Sequence, residues 1–482
     1  MKSSKSLKVG GTRRAPRALT ALILVCAGWF AAAAQGAPEP RREQLLNGLR
    51  VLLVSRPADQ NVLIRMRVHS GAAFDLAGKE GLMNGLADLM FDRQTRDYVT
   101  EELGGRIEVV VGYDSLDVTL AGRAADFERL LELARNAAMN VQLTPEAIER
   151  ARAERLKALQ EAAPAPAEAA DRAAAARLFG SYPYGRALGG SPESFARVTR
   201  ADYVVMRDRF LNPDNTTIVI VGGFDPRRVM RTMRESFGVW RKSDRAVPAT
   251  FRLPEPPDER TLVVERPGAS GVELRLAVRG LARTDRDAPA AHALAAIALS
   301  RWLAAFPELR ERAAFARHDA YRESGAFRMG ATLRTPAEAA KALEAARAVL
   351  RDLSNAAPAP AELDAGRRAA AGALGAGAQT DDALAAAWLD EHTYKSAAAT
   401  ARELARAAEA LTPAEAQRVA ARLFLHTPAA TVVLGADAAQ LRTELARVGG
   451  VEVFGEAAAR APQPAPVPAA KPQQPALQLK RP

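Results

Sequence analysis

The sequence predicts an α+β protein made of two similar halves. Runs in which apolar and polar residues alternate, typical of strands, are interleaved with runs in which apolar residues recur three and four positions apart, typical of helices. The order of these runs restarts after a polar, proline-marked stretch at 242–260, which we interpret as the link between the halves. Hairpin and meander connections favour a mainly antiparallel sheet in each half.

An internal duplication is the second observation behind this prediction. The segments 52–57 and 62–68 reappear at 262–267 and 272–278 without a gap, at a constant offset of 210 residues. A gapless match of that length indicates that the two halves repeat one structural unit. The seven identical pairs are Leu52/Leu262, Val54/Val264, Arg56/Arg266, Pro57/Pro267, Val62/Val272, Arg65/Arg275 and Val68/Val278.

The first half begins with a hairpin at 43–56, whose turn is the Asn47-Gly48 pair that short hairpin loops favour. Thr144 and Pro145 form an N-cap and first-turn pair, which predicts the start of a long helix that ends near Pro164. The other predicted elements of this half are strands at 62–68, 103–113, 115–121 and 216–222 and helices at 81–91, 125–140 and 169–178.

The second half repeats the same alternation of strands and helices. Its strands are predicted at 262–267, 272–278, 324–330 and 429–435, and its helices at 289–304 and 337–353, with two more starting at 360 and at 412–413. From about residue 461 the chain is mainly Pro, Ala and Gln, which cannot bury a core, so 461–482 is predicted to be a disordered tail. We therefore expect domains at 37–245 and 246–460.

The first 36 residues are predicted to be a signal peptide. A basic region ends at Arg17, an apolar core runs to about Ala34, and small residues at Ala34 and Gly36 suit cleavage before residue 37. The single cysteine, Cys26, lies inside this segment, and the larger Val25 before it disfavours lipoprotein processing. The mature chain would then have no cysteine and no integral membrane segment, which fits export to the bacterial periplasm.

The charge of the chain argues against nucleic-acid binding. Six of the positive charges lie within the first 36 residues, where there is no acidic residue, and removing them from the net charge of +11 leaves +5. This mild excess is spread over the rest of the chain, and no motif combines basic with aromatic residues. The simpler interpretation is a solvated surface.

The most informative stretch is the helix predicted at 81–91. Its apolar residues Leu82, Leu86, Leu89 and Met90 share one face, and Asn84 and Asp88 lie four positions apart on another side. This is the geometry by which two histidines hold a zinc ion while a neighbouring glutamate acts as base. Here the histidines and the glutamate are missing.

The order of segments around this helix resembles the start of the pitrilysin/insulinase family, which includes the mitochondrial processing peptidases. The resemblance rests on residues 46–51, the strand after them, Gly71 and the Gly81-Leu82 pair that begins the helix. It implies two α+β halves with helices on one face of each sheet, forming one half of a clam-like chamber. The family's H-x-x-E-H motif falls on Asn84, Ala87 and Asp88, so all three positions that carry its chemistry are changed.

Other family positions are only partly kept. Glu161 lies where the family has its third zinc ligand, with Glu154 seven residues before it, and Tyr182-Pro183-Tyr184-Gly185 resembles a His-Pro-Tyr-Gly loop. In active relatives an arginine and a tyrosine seven residues later bind the substrate backbone. Arg310 fits the arginine, although a solvated helix-end charge is an equal alternative, and position 317 is Arg instead of Tyr.

These replacements predict a chain without its own zinc chemistry. Zinc prefers histidine and cysteine ligands, and no pair among His69, His292, His318, His392 and His426 has the spacing of a zinc site. Ala87 also leaves metal-bound water without its usual proton acceptor. No nucleophile elbow or phosphate-binding loop is present. We expect no catalytic residue and no cofactor, with zinc only in a catalytic partner.

Three functions remain open from the sequence. The resemblance favours a non-catalytic subunit that pairs with a homologous zinc-bearing chain, or with itself, and helps to bind peptides or unfolded proteins. The alternative is a peptide-binding or scaffold protein of the cell envelope with no proteolytic role. A third possibility is a peptidase with an unusual metal site.

Overall fold

Two six-stranded sheets, one in each half of the chain, carry the fold. The computed structural model describes residues 39–161, 164–243, 254–375, 380–394 and 401–455, so the predicted signal peptide and the predicted tail lie outside the described residues. The described residues from Arg41 onward belong to one compact unit. Met1–Pro40 is a separate unit, of which residues 39 and 40 are described.

The strands follow the predicted order. Those of the first sheet are β1 Arg41–Gln44, β2 Arg50–Ser55, β3 Asn61–Val68, β4 Arg106–Val111, β5 Leu116–Arg123 and β6 Thr216–Gly222. Those of the second are β7 Thr261–Glu265, β8 Val272–Gly280, β9 Ala314–Ala320, β10 Gly325–Leu333, β11 Ala429–Gly435 and β12 Val451–Gly455. Their spatial orders are β1-β2-β6-β3-β5-β4 and β12-β7-β11-β8-β10-β9. The edge strands β9 and β12 were not predicted.

Both sheets are mixed, and the α+β class with two similar halves is confirmed. Most neighbouring strands are antiparallel, whereas β2/β6, β7/β11 and β7/β12 are parallel. The predicted hairpin is β1/β2, in which Gly48 has a φ of +93°, the left-handed conformation that glycine adopts without a Cβ clash. In both sheets a late strand of the half lies between two early strands, β6 between β2 and β3 and β11 between β7 and β8.

The helices are α1 Leu82–Asp88, α2 Arg93–Asp97, α3 Phe127–Met139, α4 Pro145–Glu161, α5 Pro166–Phe179, α6 Pro192–Phe195, α7 Arg200–Phe210, α8 Pro226–Phe237, α9 Ala288–Ala305, α10 Pro336–Asn355, α11 Pro360–Gly375, α12 Asp381–Tyr394, α13 Ala401–Glu409, α14 Pro413–Phe424 and α15 Ala438–Leu445. The predicted N-caps are present at Thr144 and Thr412, whose hydroxyl oxygens accept from backbone N–H groups. Helix α1 is shorter than predicted because its last N–H groups turn to i−3 acceptors at Leu89 and Met90. Among the described residues, no helix is long and apolar enough to span a membrane.

Each half packs helices of its own against one face of its sheet. The first core joins inward residues such as Ile64 and Ile220 to α1, α3 and α8. The second joins residues such as Leu274 and Val433 to α9, α10 and α14. The core helices of each half thus lie on one face of its own sheet, as the resemblance implies.

The other face of each sheet is covered by one helix from the opposite half. Helix α5 of the first half packs four alanines against Leu262, Val264, Val432 and Leu434 of the second sheet. Helix α12 of the second half lies on β3 and β6 of the first sheet. The duplicated pair Arg65/Arg275 marks this arrangement, since Arg65 donates to the Asp382 carbonyl on α12 and Arg275 donates to Asp171 on α5.

The Tyr182–Gly185 loop adds a buried polar contact between the halves. The Tyr184 hydroxyl donates to Asp114 at 2.9 Å and accepts from the Glu323 N–H at 3.1 Å. The second oxygen of Asp114 accepts from the Arg322 N–H at 2.8 Å. The loop therefore joins the β4–β5 turn to the β9–β10 turn through satisfied hydrogen bonds.

Candidate functional site around helix α1

Helix α1 is anchored at its start by a buried carboxylate. Asp75 accepts hydrogen bonds from the N–H groups of Gly81 and Met83, both at 2.8 Å. Gly81 has a φ of +93°, and a Cβ there would lie 2.7 Å from the Gly189 carbonyl oxygen. Burial raises the pKa of Asp75 to about 7, whereas the two N–H donors favour its charged form. These contacts fix where the side chains of α1 point.

The three motif positions on α1 have separate environments. The Asn84 amide donates to the Leu188 carbonyl at 2.8 Å. Ala87 is buried, with 5% of its surface exposed. Both carboxylate oxygens of Asp88 accept from the guanidinium of Arg155, at 2.5 and 3.0 Å. None of the three therefore presents a histidine nitrogen or a free base.

Arg155 is the α4 side chain that meets α1. Its guanidinium holds Asp88 in a two-bond ion pair and also lies over the Phe195 ring, 5.8 Å from the ring centroid. A permanently charged cation therefore occupies both carboxylate oxygens that a metal ion would need. The chemistry left at this position is an ion pair that joins two helices.

Glu154 and Glu161 lie on the exposed side of the same helix. Glu161 is the last residue of α4, and its contact is an exposed i,i+4 pair with Lys157 at 3.8 Å. In the part of the chain that the structure describes, no group of three His, Cys, Asp or Glu side chains is arranged to hold a metal ion. The position that the resemblance assigns to a third ligand is thus engaged with a surface lysine.

An open strand edge lies beside α1. Strand β4 is the last strand of its sheet, and among the described strands only β5 pairs with it. The Gly112 N–H bonds to Ser115, so the alternation along an antiparallel pair turns the N–H and C=O groups of Ile107, Val109 and Val111 outward. Such an edge can accept an added strand through main-chain hydrogen bonds.

The two positions of the family's substrate-binding pair lie in the second half. Arg310 is exposed on a 3-10 turn at Pro307–Glu311, and its side chain has no hydrogen bond or ion pair within the described part of the chain. Arg317 on β9 stacks on Phe315, 4.7 Å from the ring centroid, and pairs with Asp319 at 3.2 Å. Arg310 is thus available to a ligand, while Arg317 has protein partners.

Within the described residues, the histidines neither lie on α1 nor form hydrogen bonds with it. His69 and His318 are buried, with 7% and 4% exposed, and His426 is exposed. The rings of His292 and His318 lie 5.2 Å apart, and burial lowers their pKa values to about 4 and about 3. These rings are held neutral inside the second half.

Sequence reasoning missed Arg155 as the partner of Asp88. The two residues are 67 positions apart, and an arginine in a charged helix carries no local signal of its partner. It also missed the open edge of β4, because edge position depends on the order of strands in the sheet. The clue to this open edge lies within β4 itself, where the exposed residues Arg106, Glu108 and Val110 alternate with more buried residues.

The Asp88–Arg155 pair predicts a measurable contribution to stability. Arg155→Ala is expected to lower the free energy of unfolding by about 1–2 kcal/mol, because it removes two charge-assisted hydrogen bonds from a partly buried carboxylate. Lys157→Ala on the same helix, which removes an exposed pair, should change it by less than about 0.5 kcal/mol. Urea denaturation of both variants measures the difference, and equal effects would contradict this role for Arg155.

Parts of the chain match a known family and known proteins. The family described as Peptidase M16 inactive domain matches residues 197–370. An uncharacterized zinc protease of Mycobacterium bovis is 26% identical over 208 residues, covering 41% of this chain and 47% of the relative. The chain thus spans about half the length of the curated relatives that it matches.

Solved structures share the fold. A peptidase M16 inactive domain from Pseudomonas fluorescens superimposes with a TM-score of 0.71 at 18% identity, covering 84% of this chain and 99% of that one. The periplasmic protease PqqL from Escherichia coli gives a TM-score of 0.69 at 14% identity, covering 89% of this chain and 50% of that one. At these identities the superpositions establish the fold alone.

Proposed function

We propose that this chain, which belongs to the pitrilysin (M16) peptidase family and lacks its zinc motif, is the non-catalytic subunit of a periplasmic zinc metalloendopeptidase. Its partner is a homologous chain that carries H-x-x-E-H and holds the zinc ion. The two chains together form a clam-like chamber around a peptide or an unfolded protein. This chain supplies one wall of the chamber and contacts to the substrate.

The observation that carries the proposal is the Asp88–Arg155 pair. A peptidase site that had only lost its metal would present free carboxylates, whereas here both oxygens of Asp88 are bound by a guanidinium. The surrounding frame is kept, with two sheets, the α1 helix and the open β4 edge beside it. A fold that is retained without the catalytic residues supports a role in binding rather than in hydrolysis.

Two exposed features are assigned to the substrate. The outward main-chain groups of Ile107, Val109 and Val111 would pair with an extended peptide as an added strand. The free guanidinium of Arg310 would meet the peptide backbone or its carboxylate. Export to the periplasm follows from the predicted signal peptide, and the fold similarity to a periplasmic protease is consistent with it.

The second candidate is a peptide-binding or scaffold protein of the cell envelope with no proteolytic role. The same two observations support it, namely the open β4 edge and the lack of a metal site among the described residues. It differs in needing no zinc-bearing partner. A peptidase with an unusual metal site is a third candidate, which metal analysis of the purified protein would reveal.

The decisive experiment is isolation of the tagged mature chain from its native host, with co-purifying proteins identified by mass spectrometry. A stoichiometric partner of similar size bearing H-x-x-E-H is expected, and the pair should cleave an unfolded protein while neither chain alone does. Recovery of a homodimer or monomer without such a partner would overturn the subunit proposal and favour the scaffold.

The role of the β4 edge is tested with Val109→Pro. Proline removes an outward N–H that β4 does not use to bond β5, and edge strands tolerate it. The variant is expected to bind an extended peptide at least about tenfold more weakly, the loss from about 1.4 kcal/mol of hydrogen bonding. Val110→Ala, which shortens an exposed side chain on the same strand, should bind normally. Equal binding by both variants would contradict the assignment.

A further inference from the structure

The two crossing helices are held to their sheets by apolar contacts and ion pairs, in different proportions. Helix α5 buries seven apolar residues, and its ion pairs with the second sheet are Asp171–Arg275, Asp171–Arg317 and Arg177–Glu452. Helix α12 buries a smaller apolar face centred on Trp388 and Leu389. Its acidic residues form five ion pairs with arginines of the first half and of the loop before α9. These pairs are Arg56–Asp381, Arg106–Asp382, Arg67–Asp390, Arg283–Asp390 and Arg42–Glu391.

A buried histidine joins α12 to the sheet beneath it. His69 Nδ1 lies 2.9 Å from the Thr393 hydroxyl on α12, and Nε2 lies 2.9 Å from the Thr217 hydroxyl on β6. Because Thr393 donates its own proton to the Leu389 carbonyl, it accepts from Nδ1–H. Nε2 then accepts from Thr217, so this network suits the neutral ring.

A second histidine lies beside the first, on α12 itself. The His392 and His69 rings are 6.5 Å apart. His392 Nε2 is buried and has no hydrogen-bond partner within the described part of the chain. A proton added there would be a buried N–H without an acceptor, next to a ring that is also held neutral.

The charges around the two rings disfavour protonation. Burial and nearby arginines lower the pKa of both histidines. The charged groups around the rings are five cations, of which Arg42, Arg50, Arg67 and Arg322 lower the pKa of at least one ring, and three acids that arginines already bind. These groups are Arg42 on β1, Arg50 on β2, Arg67 on β3, Arg283 before α9, Arg322 before β10, Asp117 on β5, and Asp390 and Glu391 on α12.

We propose that α12 is an acid-sensitive strap, which protonation of His69 and His392 releases from the first sheet. When α12 lifts, both rings can bind protons in water, so the open form binds more protons below the ordinary histidine pKa of about 6.5. Opening therefore becomes easier as the pH falls through that value. Release would uncover the second face of the first sheet. It would also remove one wall of an open cavity of about 590 Å³, which Asp381 and Asp382 line near the start of β4.

Helix α5 provides an internal control for this proposal. It covers the second sheet in the equivalent way, through apolar contacts and ion pairs, but carries no histidine. Amide hydrogen exchange of the full mature chain, corrected for the intrinsic pH dependence, compares the two helices directly. Between about pH 7.5 and about pH 5, α12 is expected to lose at least about tenfold more protection than α5, since one histidine contributes tenfold for each pH unit.

Two variants assign the effect to the histidines. His69→Gln with His392→Gln is expected to abolish the extra pH dependence of α12, and His392→Gln alone should reduce it if the double variant does not fold. His426→Asn, which changes an exposed histidine in a left-handed conformation that asparagine tolerates, should leave it unchanged. Equal loss of protection in α5 and α12, or a pH response of α12 that is as large in the single variant as in the unchanged chain, would overturn the proposal.

Discussion

Arg275→Ala is expected to lower the free energy of unfolding by about 3–5 kcal/mol, the usual cost of leaving a buried charge without its partner. Arg275 and Glu273 are each 5% exposed at the side chain and pair at 3.0 Å. Arg275 also donates to Asp171 on α5, which ties the covering helix to the second sheet. Without the guanidinium, Glu273 keeps only the Thr332 hydroxyl as a donor among the described side chains.

The duplicated residue in the first half is the matched control. Arg65 occupies the equivalent position, but its side chain is more exposed, and its partner Asp117 is also held by Arg67 at 2.8 Å. Arg65→Ala should therefore cost only about 1–2 kcal/mol, because it removes hydrogen bonds to Asp117 and to the Asp382 carbonyl but leaves Asp117 paired with Arg67. Urea denaturation measures both variants.

A double substitution separates the buried charge from lost packing. Adding Glu273→Gln to Arg275→Ala should recover part of the stability, because an amide costs less to bury than an unpaired carboxylate. Equal costs for Arg275→Ala and Arg65→Ala would show that the buried pair has no special role.

Separating the chain at its link is the second change with a large expected effect. Residues 37–245 and 246–460, expressed apart, should each fail to give a soluble monomer with a cooperative unfolding transition. The second half would expose Leu262, Val264, Val432 and Leu434, which α5 covers. At about 1.5–3 kcal/mol for each buried aliphatic side chain, their exposure would cost about 6–12 kcal/mol. That is comparable with the whole stability of a typical domain, about 5–15 kcal/mol.

Co-expression of the halves and proteolytic cleavage of the folded chain are the controls for this experiment. The two halves produced in the same cell are expected to co-purify in equal amounts, since α5 and α12 can each reach the opposite sheet. A protease site inserted after residue 245 and cut after folding should leave the fragments associated. A monomeric half that unfolds cooperatively on its own would contradict the reciprocal covering as a requirement for folding.

Part of the candidate site could be predicted from the sequence. The positions of Asn84, Ala87 and Asp88 on one helix follow from local periodicity, which reports neighbours three and four residues apart. The partner of Asp88 could not be predicted, because Arg155 meets it only after α4 packs against α1. The pair of Glu161 with Lys157 follows from local spacing, whereas the exposure of Glu161 depends on how α4 packs against the rest of the chain.

The sequence by itself determined most of the strands and helices, the two similar halves and the loss of the zinc motif, because these depend on residue type and on short spacings. Only the tertiary structure decided that α5 and α12 each cover the sheet of the opposite half, that β4 is an open edge, and that His69 is buried between two threonines. The physical reason is that these contacts join residues more than eighty positions apart, or depend on strand order. Packing selects such partners from many chemically equivalent side chains.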